Sequence, residues 1–389
     1  MTLKLGFLHL GPPEHGLHRY GRLLAAEAGR RSELDVGECH AELTGERQRD
    51  RDALAGAAAD LGRSDVVHVQ HNRDLWGSGS RQLENVRAFL DACAAPVVAT
   101  CHDVYPRDPW APWRSRRWRW RRVRRHFRQR VPTNRTLRLW LRRAAAVLVC
   151  SDEEAQRLAR LTRRGATARV VDHFVEARGP LPDRDAARRA LGLAEARVVT
   201  LLGFIHPSKG HDVLVEALRC LADDVHVVLA GRPSEGNEDY LGRLARRAER
   251  DGTADRLHVT GWLEDAAQQQ VLAATDLAVT PFRFFSASGS LSTWISAAVP
   301  ILCNDLPQLD RYDAIAPGAI RRFAPCEPEV LAEAVEDALA DARTPDPGVA
   351  RLRDELLMPR VFDRHLEVYR ACAARRRGGS FVVGDRPIG

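Results

Sequence analysis

The feature that most constrains this chain is a repeated alternation. A short apolar run gives way to a loop of glycine and polar residues, and then to a stretch whose apolar residues recur at helical spacing. In the first half the strand-like runs fall at 5–10, 36–39, 66–71, 96–101 and 145–150, that at 66–71 ending in polar residues, with helical stretches at 17–28, 51–61 and 82–93. In the second half they fall at 198–202, 225–230, 257–260, 277–280, 300–303 and 319–323. Short continuous apolar runs bounded by turn signals read as fully buried strands, and strands alternating with helices predict a parallel sheet covered on both faces. With 389 residues the expectation is two such sheets. The Gly-Pro-Leu-Pro stretch at 179–182 is the linker signal. The predicted organisation is an N-terminal α/β domain over 1–178 and a second over 190–358. Residues 359–389 form a C-terminal helix packing back on the first domain, then a loose tail. The same reading gives a two-lobed chain with a cleft between the lobes.

Ligands of parallel sheets gather at the carboxyl ends of the strands. The most informative such end is Thr200-Leu-Leu-Gly-Phe-Ile-His-Pro-Ser-Lys-Gly-His-Asp212 and its continuation to Leu218, where a strand stops at Gly203 and a helical pattern starts near Val213. A strand-to-helix loop offers unpaired N–H groups and the positive end of a helix dipole, a setting suited to phosphate. His206, Ser208, Lys209 and Gly210 lie in that loop. Of the 59 basic residues only Lys4 and Lys209 are lysine, so one of two ammonium groups stands at this turn. The plain alternative is a solvated surface lysine at a helix start. A second anion-ready turn is Ser286-Ala-Ser288-Gly289-Ser290-Leu291, although serines there also serve as ordinary helix caps. Together the two turns favour a diphosphate.

Other classes are poorly supported. The loop after the first strand, Gly11-Pro-Pro-Glu-His-Gly16, is not the Gly-x-Gly-x-x-Gly dinucleotide fingerprint. Gly16, His71 and His102 stand at strand ends of the first half. Eight scattered cysteines without a Cys-x-x-Cys pair predict a reduced, cytoplasmic protein with neither disulfides nor a zinc site. The two Asp-x-Asp sequences, at 50–52 and 183–185, start polar helices and read as surface charge, so no metal is expected. No apolar run approaches a membrane span. A formal charge of +7 points to an acidic partner.

Residues 105–143 break the rhythm with five tryptophans and fifteen arginines. Indole beside guanidinium suits a membrane interface, an anionic acceptor or stacked nucleic acid, while the plain reading is an arginine-rich helix with its tryptophans packed on the sheet. Acidic and basic residues are mixed elsewhere, and nucleic acid is not expected as the ligand. Peripheral contact with the inner face of a membrane stays open.

The motifs Gly203 to Gly210, Gly261-Trp262-Leu263-Glu264, residues 274–281 and the small-residue turn before Pro300 resemble the donor half of the GT-B glycosyltransferases of family 4. Residues 12–16, 65–71 and 97–103 are similar to the acceptor half. The resemblance implies two Rossmann-like domains facing each other across a cleft, and metal-independent, retaining transfer of a sugar from a nucleotide sugar. No cofactor is implied beyond that donor, with UDP-sugar first and GDP- or dTDP-sugar open. It implies Lys209 and the backbone N–H groups of Gly289, Ser290 and Leu291 on the diphosphate, with Gly16 approaching it. His102 would stand at the donor sugar, and Gly203, Ser208, Ser288, Trp262 and Leu263 would complete the donor site. His71, Asp103, Trp110 and Trp113 are the acceptor-side candidates, for a small-molecule or lipid-linked saccharide acceptor in natural-product or cell-envelope biosynthesis.

Three departures stand out. Phe204 occupies the place of the family's arginine, and Phe285 and Thr293 stand where its two glutamates fall. Residues 277–303 contain no Asp or Glu at all. Thr293 or Ser292 would be the weaker partner for a ribose. A catalytically impaired nucleotide-sugar binder and a nucleotide-sugar epimerase are the alternatives.

Overall fold

The computed structural model describes residues 2–13, 15–102, 104, 131–162, 168–285 and 288–376. The chain divides into two compact units, one of residues 1–173 and 358–389, the other of residues 174–357.

In the first unit six parallel strands lie in the order β2-β1-β3-β4-β5-β6. They are β1 (Leu3–Leu10), β2 (Leu34–Ala41), β3 (Val66–His71), β4 (Val97–Cys101), β5 (Ala146–Val149) and β6 (Arg169–Val170). Every residue of β3 and β4 is buried; β4 reads as a nearly unbroken apolar run, whereas β3 carries the buried polar side chains His68, Gln70 and His71. Helix α1 (Gly16–Gly29) and the helices Arg47–Leu61 and Arg81–Ala92 fill the crossovers. The helix Met358–Arg376 returns to this unit and is tied to it by polar contacts. Tyr369 Oη lies 2.6 Å from His68 Nδ1 and Arg364 pairs with the buried Asp172. Arg376 donates to the Ser64 carbonyl at 2.8 Å.

The described part of the tryptophan–arginine segment is the helix Val131–Arg143. Trp140 is fully buried, with its ring 5.5 Å from that of Trp76, and Leu137 and Leu139 join the same core. Arg138 donates to the Leu161 carbonyl and Arg143 pairs with Asp91. For Trp140, Leu137 and Leu139 the packed helix is the correct reading. Trp110, Trp113 and Asp103 lie outside the described residues. The surface-charge reading of Asp50 is also corrected. It is 2 % exposed, and its carboxylate accepts from Thr44 N at 2.8 Å, Thr44 Oγ1 at 3.2 Å and Gly45 N at 3.2 Å, closing the turn after β2. Asp183 does cap an exposed helix start, accepting from Ala186 N at 2.8 Å.

The second unit repeats the plan with the order β12-β11-β10-β7-β8-β9, again all parallel. Its strands are β7 (Arg197–Leu202), β8 (Val225–Ala230), β9 (Leu257–Val259), β10 (Leu277–Thr280), β11 (Ile301–Asn304) and β12 (Ile320–Phe323). The strand order reverses between β7 and β10. Loops that leave the carboxyl ends of these two neighbours diverge to opposite faces, which opens a crevice there. Val175 N bonds the Leu356 carbonyl at 2.8 Å, so the two ends of the unit are held together.

Candidate active site

At that reversal stand the turn after β7 and the turn after β10. The first carries Gly203, whose φ of +113° suits glycine, and then coils into a 3₁₀ turn at Pro207–Lys209. Gly210 follows with φ +73°, and a β-carbon there would lie 2.0 Å from the Pro281 carbonyl, so the two turns touch through backbone. Arg283, from the second turn, grips the first. It forms a bidentate pair with Asp212, at 2.9 and 2.7 Å, and also donates to the Pro207 carbonyl. Tyr240 Oη donates to Asp212 Oδ1 at 2.9 Å and accepts from Asp212 N at 3.1 Å. Sequence reading missed this clamp, because its members lie 28 and 71 residues apart.

The clamp fixes Lys209. Its Nζ donates to Ser290 Oγ at 3.1 Å and lies 5.2 Å from the Phe282 ring centre. Among the described residues it has no carboxylate partner. Burial lowers its pKa to about 8, so the ammonium stays charged at neutral pH but poorly compensated. Ser290 belongs to the helix Gly289–Ala297, capped by Ser288 Oγ, which accepts from Leu291 N at 3.2 Å. The N–H groups of Gly289 and Ser290 have no partner among the described residues, whereas that of Leu291 is already taken. The expected anion donors therefore reduce to Lys209 Nζ and two N–H groups. In the turn after β7 three of the N–H groups expected to be open are taken. Ser208 N bonds His206 Nδ1, Lys209 N the His206 carbonyl and Gly210 N that of Pro207. Ser208 Oγ is also held, 2.7 Å from His206 Nδ1.

Further along the same sheet edge Phe204 and Trp262 are 46 % and 59 % exposed, which is unusual for such large rings. Their centres are 6.0 Å apart, and the Arg232 guanidinium lies 5.9 and 5.0 Å from them. Leu263 beside them is half-buried. Arg232 follows Gly231, where a β-carbon would meet the Gly203 carbonyl at 2.2 Å, so this strand end is locked to the lysine turn. Phe285 is buried edge-on against Phe282, and Thr293 Oγ1 donates to the Gly289 carbonyl at 2.9 Å. Neither replaces the lost carboxylates.

In the first unit His102 is buried just after β4. Its Nε2 lies 2.8 Å from Gln70 Oε1, which places the proton there and leaves Nδ1 bare. Burial, and then the neighbouring histidines, lower its pKa to about 3, so it is a neutral ring. His71 is fully buried and packs on Trp76 and Trp140. Its pKa also falls to about 3 through burial. It is a core group, which corrects its place among the acceptor-side candidates. Gly16 opens α1 with free space on its Cα.

With the geometry in hand, comparison with known proteins is decisive. The family model "Glycosyl transferases group 1" matches residues 196–341 and that of "Glycosyltransferase Family 4" matches residues 38–178, together most of the chain. This chain belongs to the GT-B glycosyltransferases of family 4 type. A D-inositol 3-phosphate glycosyltransferase of Mycolicibacterium gilvum is 39 % identical over 117 residues, 29 % of this chain and 26 % of that protein. A glycogen synthase of Deinococcus deserti is 28 % identical over 180 residues, 44 % of this chain and 37 % of that one. The chain thus matches only 26 % and 37 % of the length of these curated relatives. Among solved structures, the sucrose-phosphate synthase of Thermosynechococcus elongatus aligns with a TM-score of 0.75 at 16 % identity, covering 96 % of this chain and 100 % of that one. Anabaena HepE in complex with UDP and glucose aligns with a TM-score of 0.71, also at 16 % identity, covering 95 % and 100 %. These structures share the fold of this family 4 chain.

Proposed function

We propose that this chain moves a sugar from a nucleoside-diphosphate sugar to an acceptor hydroxyl with retention of anomeric configuration. The observation that carries the reading is Lys209 Nζ 3.1 Å from Ser290 Oγ, beside the unpartnered N–H groups of Gly289 and Ser290. Breaking the glycosyl–phosphate bond leaves negative charge on the departing diphosphate. A fixed ammonium and N–H dipoles aimed there stabilise that charge without rearrangement. Residues 277–303 offer no Asp or Glu to hold a divalent ion beside it, so transfer without a metal is part of the reading.

The exposed Phe204 and Trp262 rings, with Arg232 between them, suit a planar base and its nearby phosphate. A UDP-hexose is the donor proposed, since Anabaena HepE was solved with UDP and glucose. From the first unit, Gly16 is assigned to the donor phosphates and His102 to the donor sugar, as a neutral ring whose bare Nδ1 accepts a hydroxyl hydrogen bond. A polyol such as a phosphorylated cyclitol is the acceptor class proposed, on the likeness to the inositol-phosphate enzyme and the arginine-rich composition. A cell-envelope or natural-product saccharide is the product class, made in the cytoplasm.

The test is a thermal-shift panel of the full chain with UDP, GDP, dTDP and ADP. A ligand that binds the native state raises Tm by mass action. We expect UDP to give the largest shift and Lys209→Ala to weaken its binding by about 10- to 100-fold, the scale of one charge-assisted hydrogen bond. A full shift in that variant would overturn the site. A second reading, binding without transfer, is favoured by one observation: Phe285 is a buried core ring where a carboxylate is expected. It predicts the same UDP shift, with no consumption of UDP-sugar by any polyol acceptor or by water.

A further inference from the structure

Three histidines of the first unit that the donor reading does not use stand together. β1 and β2 pair in parallel with His9 opposite His40. Residues two apart on a strand share a face, so Glu38 lies on the same side as His40. The side chains of His9, Glu38 and His40 converge. Each offers one ligand atom, and these atoms all lie within 4.8 Å of one another. His9 Nε2 is 2.9 Å from Glu38 Oε2. Helix α1 lays a third ring over the pair, with the His18 centroid 5.5 Å from that of His9 and 4.9 Å from that of His40.

His18 supplies a second, independent observation. Its Nδ1 lies 2.8 Å from the Gly11 carbonyl, which can only accept, so Nδ1 carries the proton. The buried Nε2 is then a bare lone pair with no partner. The bond to Gly11 fixes the His18 ring over His9 and His40, although its own nitrogen is not one of the three converging ligand atoms. His9 Nε2 carries the proton it shares with Glu38 Oε2, and an ion bound there would take that proton's place. Among the described residues Arg22 faces the cluster, with its Nε 3.3 Å from Glu38 Oε2 and its side chain exposed.

We propose that His9 Nε2, Glu38 and His40 bind one borderline divalent transition ion, of which Zn²⁺ is the archetype. Two imidazoles and one carboxylate match its preference for nitrogen with some oxygen, whereas Mg²⁺ and Ca²⁺ take oxygen alone. Bonds of about 2.1 Å would draw the ligand atoms to roughly 3.4 Å from one another. The exposed Glu38 and His40 side chains can make that move while His9 stays fixed. His9 Nδ1 has no acceptor and lies against Gly21, so the site lacks one outer hydrogen bond, and its affinity falls about 10- to 100-fold below a fully supported one. An ion here would clamp β1 to β2 next to Gly11, where the loop into α1 starts. The proposal does not rest on the donor residues.

The experiment uses the full chain stripped with a chelator. Calorimetric titration with Zn²⁺ is expected to show one tight equivalent and a raised Tm, and Mg²⁺ to show neither. Glu38→Gln and His40→Ala should each weaken Zn²⁺ by about 100-fold or more, since losing an outer partner alone costs about 10- to 100-fold. Both side chains are exposed, so the variants should keep the metal-free Tm. Co²⁺ in place of Zn²⁺ should show d–d bands without a thiolate charge-transfer band, which separates this cluster from the eight free cysteines. Unchanged Zn²⁺ binding in both variants, a thiolate band, or no stoichiometric binding would each overturn the proposal.

Discussion

His102 shows how much of this chain's chemistry depends on single buried acceptors. Its N–H reaches only Gln70 Oε1, which in turn lies in a chain of contacts through His68 to Tyr369 on the C-terminal helix. Gln70→Leu removes the acceptor and leaves a buried N–H unpaired, and we expect about 1–3 kcal/mol of lost stability by urea unfolding. An unaltered midpoint would mean that His102 finds another partner. Lys209 makes a prediction in pH. Burial has lowered its pKa from 10.5 to about 8, so the ammonium is present below that value and lost above it. UDP affinity, measured by calorimetry from pH 7 to 9.5, should hold at the acid end and fall as pH passes 8. A solvated lysine would keep it constant throughout. Glycines 203 and 210 and the cation beside them were legible in the sequence because positive φ and lone charge are properties of residue type. The role of Asp50 was not, since its three donors come from a turn whose shape no local pattern announces.

At the scale of elements, the strands were the most legible feature. The limits of β3 coincide with the strand read at 66–71, and those of β8 with 225–230. A mostly apolar run bounded by turn residues shows its ends in the sequence, even where buried polar groups such as His68 and Gln70 interrupt it. The turn after β7 was legible as a place but not as a structure. Its polar residues suggested a helix start with open N–H groups, and instead His206 and Pro207 draw three of those groups into a 3₁₀ turn. Nor could the histidine cluster be seen, because it depends on the cross-strand register of β1 and β2. What holds the turn is the Arg283–Asp212 pair, which no spacing rule reaches. Arg283→Ala leaves a half-buried carboxylate without its counter-charge. We expect a modest loss of stability, about 1–3 kcal/mol, and at least tenfold weaker UDP as Lys209 loses its fixed position. Wild-type affinity in that variant would show that the clamp does not position the lysine.

At the scale of the whole molecule, buried histidines are unevenly shared. The first unit buries His68, well below its ordinary pKa, together with His9, His71 and His102 at about 3 and His365 at about 4, all chiefly through burial. In the second unit His211 is the strongly lowered one, also to about 3. The unfolded chain takes up these protons near pH 6.5 and the folded chain only at lower pH, near 3 to 4 for His9, His71, His102, His211 and His365. Stability is therefore unaffected above pH 6.5 and falls as pH drops from there toward 3. The first unit should open first in mild acid, with its peptides losing hydrogen-exchange protection before those of the second unit. Simultaneous loss would contradict the assignment. The order in which the chain visits its two units has one more consequence. Synthesis on a ribosome proceeds from the amino end, so residues 174–357 emerge and can close their own sheet while the earlier half still waits for the helix Met358–Arg376. Until Tyr369 reaches His68, the nascent first half is exposed to proteases and chaperones, and late truncations should be felt there rather than in the segment made just before them.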